Sequence, residues 1–126
     1  MGISSASAGT AYGSCYTTGA SGSVNIANWP YTGSVTGISL KAYDEKPDGH
    51  HVRVRLATGN PDGVSWSYFG WHSNTAGYGT YKEWNTYITS VPNGHVGSIL
   101  LQAATFEGDT LLNYCSSKRL ENPEGL

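Results

Sequence analysis

In the stretch His51-Val-Arg-Val-Arg-Leu-Ala-Thr58, apolar and polar side chains alternate along the chain. Val52, Val54 and Leu56 point to one side of an extended backbone, and the intervening histidine and arginines point to the other side. An apolar row opposite a polar row is typical of a strand with one face on a core and the other in water. The stretch therefore predicts a half-buried β-strand.

Other alternating runs surround this strand. Residues 36–43 alternate in the same way, and the intervening segment 44–49 contains proline and an Asp-Gly pair, which favour a turn. We expect these two runs to form an antiparallel hairpin. Six further runs have strand patterns, at residues 14–17, 23–28, 64–69, 81–89, 95–106 and 111–115. About eight strands without a helix predict an all-β antiparallel β-sandwich, with a small closed β-barrel as the alternative.

Length and composition limit the kind of protein this chain can be. Its 126 residues fit one domain, which we place at residues 11–116, with a flexible segment at 1–10 and a polar tail at 117–126. Charged residues make up only 13%, and the net charge of -2 supplies no basic patch for nucleic acid. No apolar run approaches the roughly 20 residues of a membrane span. The sequence leaves the oligomeric state open.

The two cysteines, Cys15 and Cys115, lie near the two ends of the predicted domain. A bond between them would close a loop of about 100 residues and contribute roughly 4–5 kcal/mol in the chain-entropy model. Such a bond suits a secreted protein, whereas two free thiols would suit a reducing compartment. We expect the disulfide, and we expect Met1 to stand where a secretion signal has been removed.

Aromatic residues are concentrated in one segment, since eight of the fifteen lie between residues 66 and 87. Trp66 and Trp84 belong to alternating strands, and we expect both in the core. Trp29 and Tyr31 lie on either side of Pro30 and are expected to cover an edge of the core, with exposure of these rings as the alternative. The remaining rings surround a glycine-rich stretch at 70–79 that is not expected to be regular strand.

This stretch is the predicted ligand site. Trp71, Tyr78 and Tyr81 would form a stacking surface, because aromatic rings in loops are available to ligands. Asn74, Lys82 and Glu83 would edge that surface with polar groups. Sugars combine apolar C–H faces with polar rims and would fit it. In the alternative interpretation, the same rings fold back and cap one end of the sandwich.

Signatures of catalysis and metal binding are absent from the sequence. The segment beginning at Asp44 resembles a calcium loop, but Lys46 and Arg55 occupy positions where the EF-hand needs oxygen ligands. No nucleophile elbow or paired-histidine zinc motif occurs. We therefore predict no catalytic residues, no metal and no cofactor. Glu83 with Glu107 or Asp109 could supply two carboxylates for a small hydrolase, the least favoured hypothesis.

Several motifs together resemble a pattern in small secreted, largely uncharacterised proteins of actinomycetes. They are Asp48-Gly-His-His-Val-Arg-Val-Arg55, Ala76-Gly-Tyr-Gly79, Glu83-Trp-Asn-Thr86 and Ala104-Thr-Phe-Glu-Gly-Asp-Thr-Leu-Leu-Asn-Tyr-Cys115. The resemblance covers most of residues 14–116. It implies export and one disulfide-linked β domain, and it carries over no catalytic residue.

The leading functional hypothesis is a secreted, non-catalytic, lectin-like module that binds a glycan through the aromatic loop. The alternative is an adaptor or inhibitor that binds another secreted protein, because an aromatic patch with few charges also resembles the centre of a protein interface. Small secreted actinomycete proteins include both lectins and adaptors, so the resemblance is compatible with either role.

Overall fold

The computed structural model describes residues 9–89 and 95–124, which form strands and connections without a helix. None of these residues therefore forms a helix that could cross a membrane. In chain order the strands are β1 (Gly9–Thr17), β2 (Ala20–Trp29), β3 (Val35–Asp44), β4 (His51–Gly59), β5 (Trp66–Tyr68), β6 (His72–Asn74), β7 (Tyr81–Ile88), β8 (Ser98–Glu107), β9 (Thr110–Ser116) and β10 (Leu120–Glu121).

The strands form two antiparallel sheets that share one core. The first sheet has the order β1-β2-β3-β7, and the second has the order β10-β8-β4-β5. In the second sheet, β6 also pairs with β4 and β9 also pairs with β8. The sheets do not close into a barrel, so the predicted β-sandwich is confirmed and the barrel alternative is not adopted.

The expected hairpin between β3 and β4 is wrong. β3 pairs with β2 and β7, whereas β4 pairs with β8, β5 and β6 in the other sheet. The chain leaves the first sheet after Asp44, where the amide of Glu45 donates to the carbonyl of Gly19 at 3.0 Å. The apolar faces of the two strands consequently oppose each other across the core.

Alternation places the apolar side chains between the two sheets. The largest fully buried ones are Trp29, Ile26, Ile38, Leu40, Ile99, Leu101, Val24, Val35, Val52 and Val54. The sheets approach closely at Gly22, where a β-carbon would lie 2.8 Å from Cγ1 of Val54. A larger residue at this position would force the sheets apart. The expected position of Trp29 at the core is confirmed, and its indole nitrogen donates to the carbonyl of Val96 at 2.8 Å.

The expected disulfide between Cys15 and Cys115 is present, with their α-carbons 5.9 Å apart. Cys15 lies on β1, an edge strand of the first sheet, and Cys115 lies on β9 at an edge of the second sheet. The bond therefore joins the two sheets covalently at one side of the sandwich. Both cysteines also pack against the core.

The structure contains ten strands in its described residues rather than about eight. β6 lies inside the stretch expected to be irregular, and β10 lies inside the expected polar tail. Leu120 is buried and pairs with Ile99, and the Asn122 amide donates to the carbonyl of Pro30 at 2.9 Å. The domain therefore extends past residue 116, and β1 begins before residue 11. Residues 1–8 of the expected flexible segment lie outside the described ranges.

Candidate functional site

The six side chains predicted to bind a ligand do not meet on one surface. Tyr81 and Glu83 lie on the solvent side of the first sheet, whereas Trp71 packs on the solvent side of the second sheet. Tyr78 is exposed in the connection that precedes β7, and Lys82 is exposed on β7, an edge strand. The predicted side chains therefore lie at separate places on opposite faces of the sandwich and do not form the expected loop surface.

Asn74 is fully buried and holds the fold together rather than facing a ligand. Its amide nitrogen donates to the carbonyl of Ala42 at 3.0 Å, and its amide oxygen accepts from the backbone amide of Ala76 at 3.0 Å. Asn74 belongs to the second sheet and Ala42 to the first, so this side chain fastens one sheet to the other. The prediction that Asn74 contacts a ligand is wrong, because its side chain is buried and bonded to the backbone.

Replacing Asn74 with alanine should lower the free energy of unfolding by about 2–3 kcal/mol, because the buried backbone groups lose their partners. Urea unfolding followed by tryptophan fluorescence measures the change. Ser73→Ala is the matched control, since Ser73 is the exposed neighbour on the same strand and should change stability by less than about 0.5 kcal/mol. Equal stability of the two variants would contradict the assigned role.

Tyrosines occupy much of the solvent face of the first sheet. We name this surface the tyrosine face; its rings are Tyr12, Tyr16, Tyr43, Tyr81 and Tyr87. Each alternates with a residue that points inward, as Tyr16 does with Cys15 and Tyr43 with Ala42. Four of the rings are strongly exposed, at 59% for Tyr12, 68% for Tyr16, 56% for Tyr81 and 65% for Tyr87. Such exposure of large rings is not needed for packing within the sandwich.

The tyrosine face is a shallow trough. Its exposed rings stand on the two edge strands, β1 and β7, about 14 Å apart across three strand spacings. The floor of the trough is formed by β2 and β3, whose outward side chains are Ser21, Ser23, Asn25 and Ala27 on β2 and Ser39, Lys41 and Tyr43 on β3. Small polar side chains, Lys41 and the half-buried Tyr43 ring thus lie between the two rows of exposed rings. The trough is open at both ends because the surface is a sheet face.

The tyrosine face carries charges of both signs. Lys41 on β3 is directly opposite Glu83 on β7, and the Lys41 ammonium lies 5.4 Å from the centre of the Tyr81 ring. Glu83 also accepts a hydrogen bond from the Ser39 hydroxyl. Tyr43 and Tyr81 pack with their ring centres 5.3 Å apart. The Glu45 carboxylate also accepts a hydrogen bond from the Ser21 hydroxyl on the trough floor at 2.6 Å. The trough therefore has no excess of positive charge, and it favours a neutral ligand over an acidic one.

The solvent face of the second sheet carries arginines among aromatic rings. We name this surface the arginine face; its members are Arg53, Arg55, Tyr68, Trp71, Phe106 and Tyr114. The guanidinium of Arg55 lies 4.1 Å from the centre of the Tyr68 ring and 4.2 Å from that of Trp71. Trp71 meets Phe106 edge to face at 5.2 Å. The rings and cations form one continuous row.

The two arginines differ in how their charge is compensated. Arg53 forms an ion pair with Asp109 at 3.0 Å and donates to the carbonyl of Gly108 at 3.1 Å. Arg55 donates through Nε to the Gln102 amide oxygen at 2.8 Å, and no carboxylate within residues 9–89 and 95–124 pairs with it. The charge of Arg55 is therefore not neutralised by its described neighbours.

Burial changes the pKa of Arg55. Partial burial lowers the pKa of the Arg55 guanidinium, and the neighbouring Tyr68 phenol acts in the opposite direction. An arginine with a lowered pKa still carries its charge at neutral pH. A partly desolvated cation attracts a carboxylate more strongly than one surrounded by water does.

The position of Tyr68 depends on the turn between β4 and β5. The Asp62 carboxylate accepts hydrogen bonds from the Ser65 hydroxyl at 2.6 Å and from the backbone amides of Val64 and Ser65. These bonds lower the pKa of Asp62 to about 2. Asp62 therefore remains ionised at any ordinary pH and keeps the turn in place.

His50 is the histidine with carboxylates on both sides. Its Nε2 lies 3.0 Å from Glu107, and its Nδ1 lies 3.5 Å from Asp48. Both ring nitrogens face acceptors within the protein, which suits a structural link between two turns better than a general base. Within the described ranges, no group of three or more histidine, cysteine, aspartate or glutamate side chains could hold a metal ion.

Of the two tryptophans that were expected in the core, Trp84 and Trp66, only one lies there. Trp84 packs against the core as expected, and its ring lies 5.1 Å from His72. Trp66 does not join the core; it is half-exposed and lies 5.3 Å from the Arg119 guanidinium. The β5 strand has only three residues and forms an edge of the second sheet, so its rings pack over the outside.

Sequence reasoning missed the outer rings of β1 and the role of the arginines. Tyr12 and Tyr16 flank Cys15 in alternation, so an inward cysteine already implies outward tyrosines. Arg53 and Arg55 were correctly placed opposite the core, but their aromatic neighbours come from distant parts of the chain. The outward tyrosines of β1 could be predicted from the local alternation, whereas the aromatic neighbours of the arginines could be identified only from the tertiary fold.

Comparison of the chain with protein-family models, curated proteins and solved structures gave no significant match. The resemblance to small secreted actinomycete proteins stays an expectation from the sequence. The structure defines the class as a two-sheet antiparallel β-sandwich joined by one disulfide. The surfaces that bear on function are the tyrosine face and the arginine face.

Proposed function

We propose that this protein is a secreted, non-catalytic carbohydrate-binding module whose ligand lies along the tyrosine face. The observation that carries the proposal is the exposure of four tyrosine rings along the two edges of a trough with a serine and asparagine floor. Sugar rings stack their apolar C–H faces on aromatic rings, and their hydroxyls bond to hydroxyl and amide groups. Both kinds of contact are available on this surface.

The shape of the tyrosine face indicates which kind of carbohydrate would fit. A trough that is open at both ends accepts an internal segment of a polymer and does not require a chain end. Lys41, Glu83 and Glu45 leave no excess of positive charge, which favours neutral polysaccharides over acidic ones. The strands are rigid scaffolds, so binding would order few side chains and lose little entropy.

Export is part of the proposal. A disulfide that joins residues 100 positions apart forms and persists in oxidising compartments outside the cytosol. A polysaccharide ligand is also encountered mainly outside the cell. The disulfide supports secretion, and sequencing the N-terminus of the protein recovered from culture fluid would test it.

Tyr81→Ala should weaken binding to a neutral polysaccharide about tenfold, because a lost stacking contact is worth roughly 1–1.5 kcal/mol. The measurement is a depletion assay against cellulose, chitin, xylan and mannan with the wild-type protein and the variant. Tyr114→Ala is the matched control, since Tyr81 and Tyr114 are both 56% exposed but lie on opposite faces. The control should bind as the wild type does.

Two results would overturn the proposal. One is the absence of binding to every polysaccharide in the panel by folded wild-type protein. The other is an equal loss in Tyr81→Ala and Tyr114→Ala, because the tyrosine face would then have no special role. A Tyr16→Ala variant on the opposite edge of the trough extends the test, and it should show a loss similar to that of Tyr81→Ala.

A further inference from the structure

The arginine face is a second exposed surface with a chemistry unlike that of the tyrosine face. Arg55 is held between the rings of Tyr68 and Trp71 at 4.1 and 4.2 Å, and both distances are typical of cation–π contact. The Gln102 amide oxygen accepts a hydrogen bond from Nε of Arg55, which fixes the orientation of the guanidinium. The side chain is therefore pre-organised.

The terminal nitrogens of Arg55 have no hydrogen-bond acceptor among the described residues. Arg53 on the same strand shows the contrast, because Asp109 already pairs with it. A guanidinium that is fixed in direction and lacks a carboxylate is suited to a bidentate pair with a carboxylate from another molecule. Charge complementarity thus specifies an anionic partner.

Apolar side chains on the same face as Arg55 indicate a protein rather than a sugar. Tyr114 on β9 is exposed, and Leu112, two residues before it, is exposed as well. Tyr114 is in register with Arg53 through Ala104, across two strand spacings, which places it roughly 12 Å from Arg55, and Leu112 lies further along β9. Tryptophan, tyrosine and arginine dominate the energetics of protein interfaces, and an exposed leucine has no polar group to offer to a sugar.

We propose that the arginine face binds an acidic segment of another protein. A carboxylate of that segment pairs with Arg55, and an apolar side chain a few residues further along the segment packs on Tyr114 and Leu112. The site is independent of the tyrosine face, because the two surfaces lie on different sheets. One molecule would therefore hold a polysaccharide on one side and a protein on the other.

The test uses a random copolymer of glutamate and tyrosine as the acidic apolar probe, with fluorescence anisotropy as the readout. Arg55→Gln should weaken binding of this probe at least tenfold, and raising the NaCl concentration should weaken binding to the wild type. Lys82→Gln is the matched control, since it removes the same charge from an exposed position on the first sheet. It should change binding less than twofold.

Further variants keep the result interpretable. Tyr114→Ala alters only an exposed ring, so it should fold normally and weaken binding of the copolymer about threefold to tenfold. Tyr81→Ala should leave copolymer binding unchanged, which separates this site from the carbohydrate site. Equal binding by wild type, Arg55→Gln and Tyr114→Ala would overturn the proposal. Tighter, Arg55-dependent binding of polygalacturonate would also overturn it and assign the face to acidic sugars.

Discussion

Replacing Cys15 and Cys115 with serine should lower the free energy of unfolding by about 4–5 kcal/mol. The bond joins residues 100 positions apart, so its loss returns much conformational freedom to the unfolded chain. In a domain of this size each kcal/mol corresponds to roughly 3–5 °C, and the melting temperature should fall by about 12–25 °C. Differential scanning calorimetry measures the shift.

Reduction of the wild-type protein provides the control for this experiment. Treatment with a reducing agent breaks the same bond without changing any side chain, and the reduced protein should melt near the double variant. A Ser14→Ala variant, altered at an exposed position next to Cys15, should melt within about 2 °C of the wild type. If the oxidised wild type and the double variant melt within 3 °C of each other, the disulfide contributes little to stability and the prediction is wrong.

Trp29→Ala should cost about 3–5 kcal/mol, the range for removing a large buried aromatic side chain. Trp29 is fully buried at the end of β2, and its removal leaves a cavity between the sheets. The loss of its hydrogen bond adds little, because the Val96 carbonyl still accepts from the Asn122 amide at 3.0 Å. Packing therefore accounts for most of the effect.

Two comparison variants separate packing from hydrogen bonding in this prediction. Trp29→Phe keeps most of the ring volume and loses the indole donor, so it should cost only about 1–2 kcal/mol. Trp66→Ala removes the same kind of residue from a half-exposed position and should cost clearly less than Trp29→Ala. Urea unfolding by circular dichroism gives all three values. Similar losses in the two alanine variants would contradict the central role of Trp29.

Alternation predicted the inward and outward faces of the main strands but not which sheet each strand joins. A hairpin and a crossing between sheets give the same apolar pattern in β3 and β4, because each strand buries one face in either case. The connecting segment after Asp44 is long enough for both. The distinction depends on hydrogen bonds to distant partners, such as the bond from Glu45 to the Gly19 carbonyl.

The candidate site, too, could be predicted only in part, because the positions of its side chains depend on contacts with distant residues. Tyr81 and Glu83 were placed together on one face of a strand by alternation, and the structure keeps them together. Asn74 was misjudged because a polar residue in a glycine-rich stretch looks exposed, whereas its amide is needed to satisfy buried backbone groups. β10 was missed because its polar neighbours conceal the single buried Leu120.

The position of the disulfide gives the sandwich a hinge. At the edge formed by β1 and β9 the disulfide joins the sheets directly. At the opposite edge they are joined by the longer chain connection from β6 to β7, by Asn74 and by the contact of His72 with Trp84. A load that pulls the two outer faces apart would open the second edge first and rotate the sheets about the first. A molecule anchored on both faces would keep the β1–β9 edge closed while the opposite edge opened, and after reduction only the chain connections between the sheets would still link the two faces.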